Sequence, residues 1–182
     1  MIKLIYDFDM YEFKVSFIWL SERGITETLG SYCLDYPEAN IYGPSTTSLG
    51  LALAADLEAF MVDKYLRKIG ITEDGEQDRK AFFHLRRSQR AVREELRTSP
   101  VAHIMYKNWY LEITDEYPIE RFEKVCEPVL NRNDRFIVES SLKAGIDLNE
   151  VAEIELAGSE CEYEFVRRHV QEMFGIECTY VK

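Results

Sequence analysis

The sequence predicts an α/β protein in which helices flank a mixed sheet, and three observations carry that prediction. Residues 2–20 alternate apolar and polar side chains with period two, twice over, about a short polar turn. Segments that begin at Ser48, after Gln77 and at Pro118 repeat apolar residues at helical spacing instead. The last thirty residues then read as strand, sharp turn, helix and strand. With 182 residues and 46% apolar content, the chain is long enough for one well-cored domain of two subdomains.

On the first side of the opening turn Ile2, Leu4 and Tyr6 alternate with Lys3, Ile5 and Asp7. On the second Phe13, Val15, Phe17 and Trp19 alternate with Glu12, Lys14, Ser16 and Ile18. Both faces are partly apolar, so these strands are expected at the centre of a covered sheet. Ile25–Leu34 reads as a third strand, and Asp35–Thr47, rich in Pro, Gly, Asn and Ser, as a loop. Ser48 is placed to cap a helix running to about Ile69, with Leu53, Leu57, Phe60, Met61, Tyr65 and Ile69 on one face and Gly70 as its stop. A second helix runs to about Leu96 with a narrower stripe, Phe82, Leu85, Gln89, Val92 and Leu96, and Ser99-Pro100 closes it. Val101–Tyr106 and Asn108–Thr114 are expected to form a hairpin that turns at Lys107-Asn108. Pro118 is expected in the first turn of the next helix, whose inward residues are Phe122, Cys126, Val129 and Leu130. Asn131–Asp134 is expected to loosen it before a separate helical segment, Arg135–Ala144, that stops at Gly145. Glu153–Ala157 follows as a strand, Gly158-Ser159 as a turn, Glu162–Phe174 as a helix buried through Val166, Val170, Met173 and Phe174, and Glu177–Val181 as the last strand. The expected order is βββ-αα-ββ-α-α-β-α-β, with no internal repeat.

The charge is strongly negative: 22 Lys and Arg stand against 33 Asp and Glu, a net −11. Such a surface repels phosphate backbones and anionic lipid, so neither nucleic acid nor a membrane is an expected partner. The local exception is Arg79, Lys80, Arg86, Arg87, Arg90, Arg93 and Arg97 on one predicted helix, read as a solvated face, with an anion or partner surface as the alternative. No run of 18 apolar residues occurs, and Met1-Ile2-Lys3 leads into a strand rather than a secretion signal, so a cytoplasmic or nuclear location is expected. Cys33, Cys126, Cys161 and Cys178 have no CxxC spacing and are expected to be reduced, mostly buried thiols. Glu160 and Glu162 should disfavour a Cys161 thiolate. His84, His103 and His169 fall on separate elements, so no metal site is expected and no catalytic constellation is legible. A turn built to cradle phosphate needs glycines, whereas this one carries Asp9, Met10 and Tyr11.

Taken together, five collinear stretches resemble one family. IYDFDMYEFKVSFI (Ile5–Ile18) is similar to the phosphate-loop hairpin of the seventy-kilodalton heat-shock proteins, the DnaK-type chaperones, at its Tyr-Asp-Phe start and at Phe13, Val15 and Ser16. TSLGLALAADLEAF (Thr47–Phe60) resembles the family's Leu-Gly-Gly helix entry, keeping Leu49 and Gly50 and placing Leu51 at the second glycine. LRRSQRAVREELRTS (Leu85–Ser99), RFEKV (Arg121–Val125) and SLKAGIDLNEVAEIELAGS (Ser141–Ser159) resemble three further family elements in order. The resemblance covers nearly the whole chain. It implies the second lobe of an actin-like, ribonuclease H-like ATPase domain, with a sheet-bearing subdomain at 1–47 and 116–182 and an inserted helix-rich subdomain at 48–115.

The resemblance also implies where a nucleotide would lie, and there this sequence departs from the family pattern. Asp7 keeps the position of a carboxylate near metal and water. Asp9, Met10 and Tyr11 replace the phosphate-loop glycines, and Glu12 replaces the threonine that follows. Arg90, Arg93 and Glu94 stand where the family presents Glu, Lys and Arg to the nucleoside; Gly158, Ser159 and Glu162 stand in the adenine turn, with its arginine lost. Two carboxylates facing a triphosphate repel it by about 1 kcal/mol or more per close pair. The expectation is therefore a non-catalytic, pseudo-ATPase lobe with weak or absent ATP and ADP binding and no cofactor. Protein partners are expected, chaperone co-factors among them, at Leu57–Arg97, or a second copy at the face that the family's first lobe covers. The alternative is a fragment of a longer chaperone-type ATPase.

Overall fold

The computed structural model describes residues 1–10, 12–24, 26–35, 48–66, 89–107 and 112–181. In chain order its elements are strands β1 (Ile2–Phe8), β2 (Glu12–Leu20) and β3 (Thr26–Asp35) and helix α1 (Leu49–Met61), continued by a π-helical turn, Val62–Leu66. Residues 89–95 are helical (α2), and β4 (Val101–Lys107), β5 (Glu112–Pro118) and α3 (Ile119–Ala144) follow. β6 (Val151–Ala157), α4 (Glu164–Phe174) and β7 (Cys178–Tyr180) complete the chain. Two compact units result: Met1–Ile41 with Pro128–Lys182, and Tyr42–Glu127.

The first unit is built on a five-stranded sheet of order β3-β2-β1-β6-β7. β1, β2 and β3 pair antiparallel as a meander, while β1–β6 and β6–β7 are parallel. The opening strands are central, as the alternation demands. One face is fully buried, through Leu4, Tyr6 and Phe8 of β1, Phe13, Val15 and Phe17 of β2 and Ile154 and Leu156 of β6. Tyr6 and Phe13 stack at 4.7 Å between ring centroids, and Phe136 of α3 meets Phe13 edge-on at 5.9 Å. The other face is only half covered and is polar: Lys3 pairs with Glu155 at 2.5 Å, and Ser16 and Ser31 share a hydrogen bond of 2.8 Å. Trp19 alternates in phase with the buried residues but is 44% exposed at the end of the sheet. Two register shifts accommodate imperfect alternation. Ile2 pairs with Val151 and Lys3 with Glu153, so the extra residue Ala152 lets Val151 and Ile154, three apart, share the buried face. Leu29 is the corresponding extra residue of β3.

The second unit packs α1 and α2 with the β4–β5 hairpin and the first turns of α3. Ser48 caps α1 as expected, its Oγ accepting from the Leu51 N–H at 3.3 Å. Leu53, Leu57 and Met61 are buried with Val92, Leu96, Tyr117 and Phe122. Asp56 ties the unit together. It accepts hydrogen bonds from the Tyr117 hydroxyl at 2.6 Å and from Arg121 at 2.5 and 2.9 Å, a bidentate pair, and the Arg121 guanidinium lies 4.7 Å from the Phe60 ring centroid. Burial, and then the adjacent Asp56 carboxylate, hold the Tyr117 hydroxyl in its neutral, donating form.

Several sequence expectations are corrected. Lys107, expected in the turn, is paired with Glu112 in the β4–β5 ladder, and β5 continues past the expected end at Thr114 to Pro118; residues 108–111 of the expected turn and strand lie outside the described residues. Pro118 is the last residue of that strand, opposite Val101, and the helix starts one residue later. Asn131–Asp134 does not loosen anything: α3 is a single helix of 26 residues with Asn133 buried inside it. An Asn costs a helix about 0.7 kcal/mol against Ala, and burial of Val129, Leu130 and Ile137 is worth about 1.5–3 kcal/mol each. The same buried stripe carries the helix through Pro128, where a backbone donor is missing. Gly145 ends it as expected with φ +71, the Ile146 N–H reaching the Ser141 carbonyl at 2.9 Å and the Gly145 N–H the Leu142 carbonyl at 3.2 Å. Glu162 belongs to a 3-10 turn, Ser159–Glu162, that precedes α4, and Met173 and Phe174 are only half-buried. The loop at 36–47, Ile69, Gly70, Phe82, Leu85 and four of the seven basic helix positions lie outside the described residues.

Glycine at 158 is the tightest backbone requirement. It has φ +87 and ψ 158, and a Cβ there would collide with the Phe8 carbonyl oxygen, with the Phe8 carbonyl carbon at 2.6 Å. Gly24, at φ +75, has nothing within 4 Å of such a Cβ. Gly158→Ala is therefore expected to lower unfolding free energy in urea by more than about 3 kcal/mol, and Gly24→Ala by only about 1 kcal/mol; equal costs would remove the backbone crossing as the cause.

Candidate functional site

Parallel pairing of β1 with β6 puts the C-terminal ends of the two strands side by side, the place where open α/β sheets gather ligand-facing loops. The β1–β2 turn and the turn after β6 meet there. Asp9 closes its own turn, its N–H donating to the Glu12 carbonyl at 3.0 Å, and its Oδ1 accepts from the Ser159 N–H at 2.8 Å, across 150 residues of sequence. Gly158, pressed on the Phe8 carbonyl, allows that approach. The 3-10 turn continues with the Cys161 N–H bonded to the Gly158 carbonyl at 3.2 Å, and Arg167 of α4 donates to the Cys161 and Glu162 carbonyls at 3.4 and 3.3 Å.

Negative charge dominates this end of the sheet. Burial raises the Asp7 pKa above the usual carboxylate value, and repulsion from Asp9 adds to it while Lys14 opposes it. Glu12 is held below its usual value by hydrogen bonds from Lys14, at 2.9 Å, and then from Cys33, at 3.5 Å. Lys14 is raised in turn by Glu12. Among the described residues no group of three His, Cys, Asp or Glu side chains could hold a metal ion.

Of the sequence-derived positions, the fold brings together Asp7, Asp9, Glu12, Gly158, Ser159 and Glu162, with Met10 exposed beside them; Tyr11 lies outside the described residues. Arg90, Arg93 and Glu94 belong to the other unit. There Arg90 is exposed, and Glu94 meets Arg97 at 3.4 Å. Arg93 is buried against α1, close enough that a Cβ on Gly50 would lie 3.1 Å from its Nη1, and Gln89 donates to the Gly50 carbonyl at 2.7 Å. The Cys161 thiol is pushed up chiefly by burial and then by Asp7 and Asp9, which corrects the expected cause, Glu160 and Glu162. Cys126 is likewise buried, whereas Cys178 is half-buried and Cys33 exposed, so two of the four thiols are core residues.

Two features escaped sequence reasoning. The Asp9–Ser159 hydrogen bond has no local signal. The Asp56 cluster has one: Asp56 stands on the helical face of Leu53, Leu57 and Phe60, and a charge on an apolar stripe calls for a partner.

No family model matches the chain. It is 26% identical over 136 residues to the mitochondrial-type heat shock protein 70 of Encephalitozoon hellem, a stretch covering 70% of this chain and 22% of that protein. The chain thus spans about a fifth of the length of this curated relative. The match supports a heat-shock protein 70-like relationship, and the mixed sheet with its helices is compatible with half of an actin-like ATPase.

Asp9→Ala removes an acceptor from the Ser159 amide and is expected to lower unfolding free energy by about 1.5–3 kcal/mol. Asp9→Asn, which keeps an acceptor and removes the charge, is expected to cost less and to move the Asp7 pKa down in a carboxyl NMR titration. An Asp7 midpoint unchanged in the Asn variant would rule out the coupling.

Proposed function

We propose that the chain is a non-catalytic relative of the second lobe of a heat-shock protein 70 ATPase domain, acting through protein contacts and binding ATP and ADP weakly or not at all. The observation that carries this reading is the Asp9–Ser159 hydrogen bond. By the resemblance, the turns it joins are those that would hold phosphate and adenine, and here the protein's own carboxylate takes an amide donor. A triphosphate placed there would face the carboxyl groups of Asp7 and Asp9. Burial of Arg93 supports the reading too, since a guanidinium engaged inside its own unit is not presented to a ligand. The acidity is uneven: Met1–Ile41 with Pro128–Lys182 carries 9 Lys and Arg against 18 Asp and Glu, a net −9, and Tyr42–Glu127 carries 13 against 15, a net −2. A basic protein partner suits the first unit best.

A second reading is favoured by one observation: the matched relative is several times longer, which fits a piece of a larger chaperone-type ATPase. Immunodetection in extracts of the source cells separates the two, since a separate protein migrates at 21.3 kDa and a fragment at higher mass.

Calorimetric titration of the purified chain with ATP and ADP, magnesium present, is expected to give no binding heat, and saturating nucleotide is expected to leave the thermal unfolding midpoint in place. Micromolar affinity would overturn the non-binding reading.

A further inference from the structure

The C-terminal corner of the first unit ends on a short edge strand. β7 has three residues at the sheet edge, paired to β6 on one side, and a bond from the Val181 N–H to the Leu156 carbonyl at 2.9 Å extends that attachment. α4, which leads into it, buries Phe165, Val166 and Val170 in its first two turns and leaves Met173 and Phe174 half-buried. Between these lies His169. Its Nε2 stands 3.0 Å from both carboxylate oxygens of Asp134 on α3, and both side chains are about three-quarters buried. This geometry suits a protonated imidazole centred on a carboxylate, and it links α4 to α3.

We propose that the His169–Asp134 pair is a pH-sensitive latch that holds α4 on α3 in mildly acidic solution and loosens the α4–β7 corner as the solution turns alkaline. The charged groups acting on the imidazole, among the described residues, are Asp134 from α3 and Glu172 from the next turn of α4, both negative. Their effect, led by the Asp134 hydrogen bond and opposed by burial, raises the histidine above its ordinary value. A group whose folded pKa is raised contributes stability that is complete below the unfolded value, near 6.5, and is lost as pH rises through the folded value. Loosening frees the outer edge of β6, a strand with an apolar buried face.

Amide hydrogen exchange of the full chain at about pH 6 and about pH 8, corrected for intrinsic rates, tests the latch through the protection of residues 163–181 relative to β1 and β2. The wild-type chain is expected to lose about two- to fivefold of that relative protection at the higher pH, the range of a partly exposed ion pair. His169→Gln and Asp134→Asn are each expected to abolish the difference, and His103→Gln, at a histidine bonded to Glu95 in the other unit, to leave it intact. No pH difference in the wild type, or the same difference in the His169 and Asp134 variants, would overturn the proposal. Histidine NMR on the unmodified chain provides a test free of folding artefacts: a His169 midpoint above 6.5 supports the latch, and one at or below 6.5 overturns it.

Discussion

Parallel pairing of β1 with β6 is the constraint on which the sheet unit depends. The two strands come from opposite ends of the chain, and the turns that follow them interlock about 150 residues apart in sequence. Three devices make the pairing specific. Gly158 lets one backbone press on the carbonyl of Phe8, the Asp9 carboxylate bonds the amide beyond it, and the extra residue at Ala152 brings Val151 and Ile154 to the same face. Without that shift half of β6 would turn its apolar side chains outwards. Contacts at such separation close the largest loops in the chain, so the sheet is expected to form late, after the local β1–β2 hairpin.

The second unit is organised by a polar centre rather than a backbone crossing. Asp56 collects three hydrogen bonds, two of them from a guanidinium, and the cations of Arg121 and Lys64 lie 4.7 and 5.0 Å from the Phe60 ring centroid. A carboxylate on an apolar helix face would be costly alone; with both oxygens accepting hydrogen bonds it fixes which face of α1 meets β5 and α3. The boundary of the units at Glu127/Pro128 falls within α3.

The site at the ends of β1 and β6 joins a scaffold suited to ligand binding with side chains of the wrong sign for an anion. Asp9 and Glu12 are satisfied from within, by the Ser159 amide and by Lys14, while burial and the Asp9 charge favour the neutral form of Asp7. This carries the proposed loss of nucleotide binding, and it explains how acidic residues persist there at little cost to the fold. The polar, paired face of the sheet has the same character.

Where the period of the sequence was unambiguous, the elements were legible: β1 and β2 from alternation, α1 from Ser48 and its apolar stripe, and the end of α3 from Gly145. The sequence also placed Asp9 and Gly158 in turns and Asp7 near the end of the first strand, since residue type and local spacing are enough for that. It misjudged α3, because the helix penalty of Asn131–Asp134 is local whereas the burial of Val129, Leu130 and Ile137 that outweighs it comes from other elements. It likewise misread Cys161, whose thiol is governed by burial rather than by its neighbours in the chain. Composition and periodicity by themselves determined an acidic α/β protein with a central opening hairpin. Only the tertiary structure decided that Asp9 bonds Ser159, that Asp56 is satisfied and that His169 faces Asp134, because each depends on a partner 35 or more residues away that no local pattern encodes.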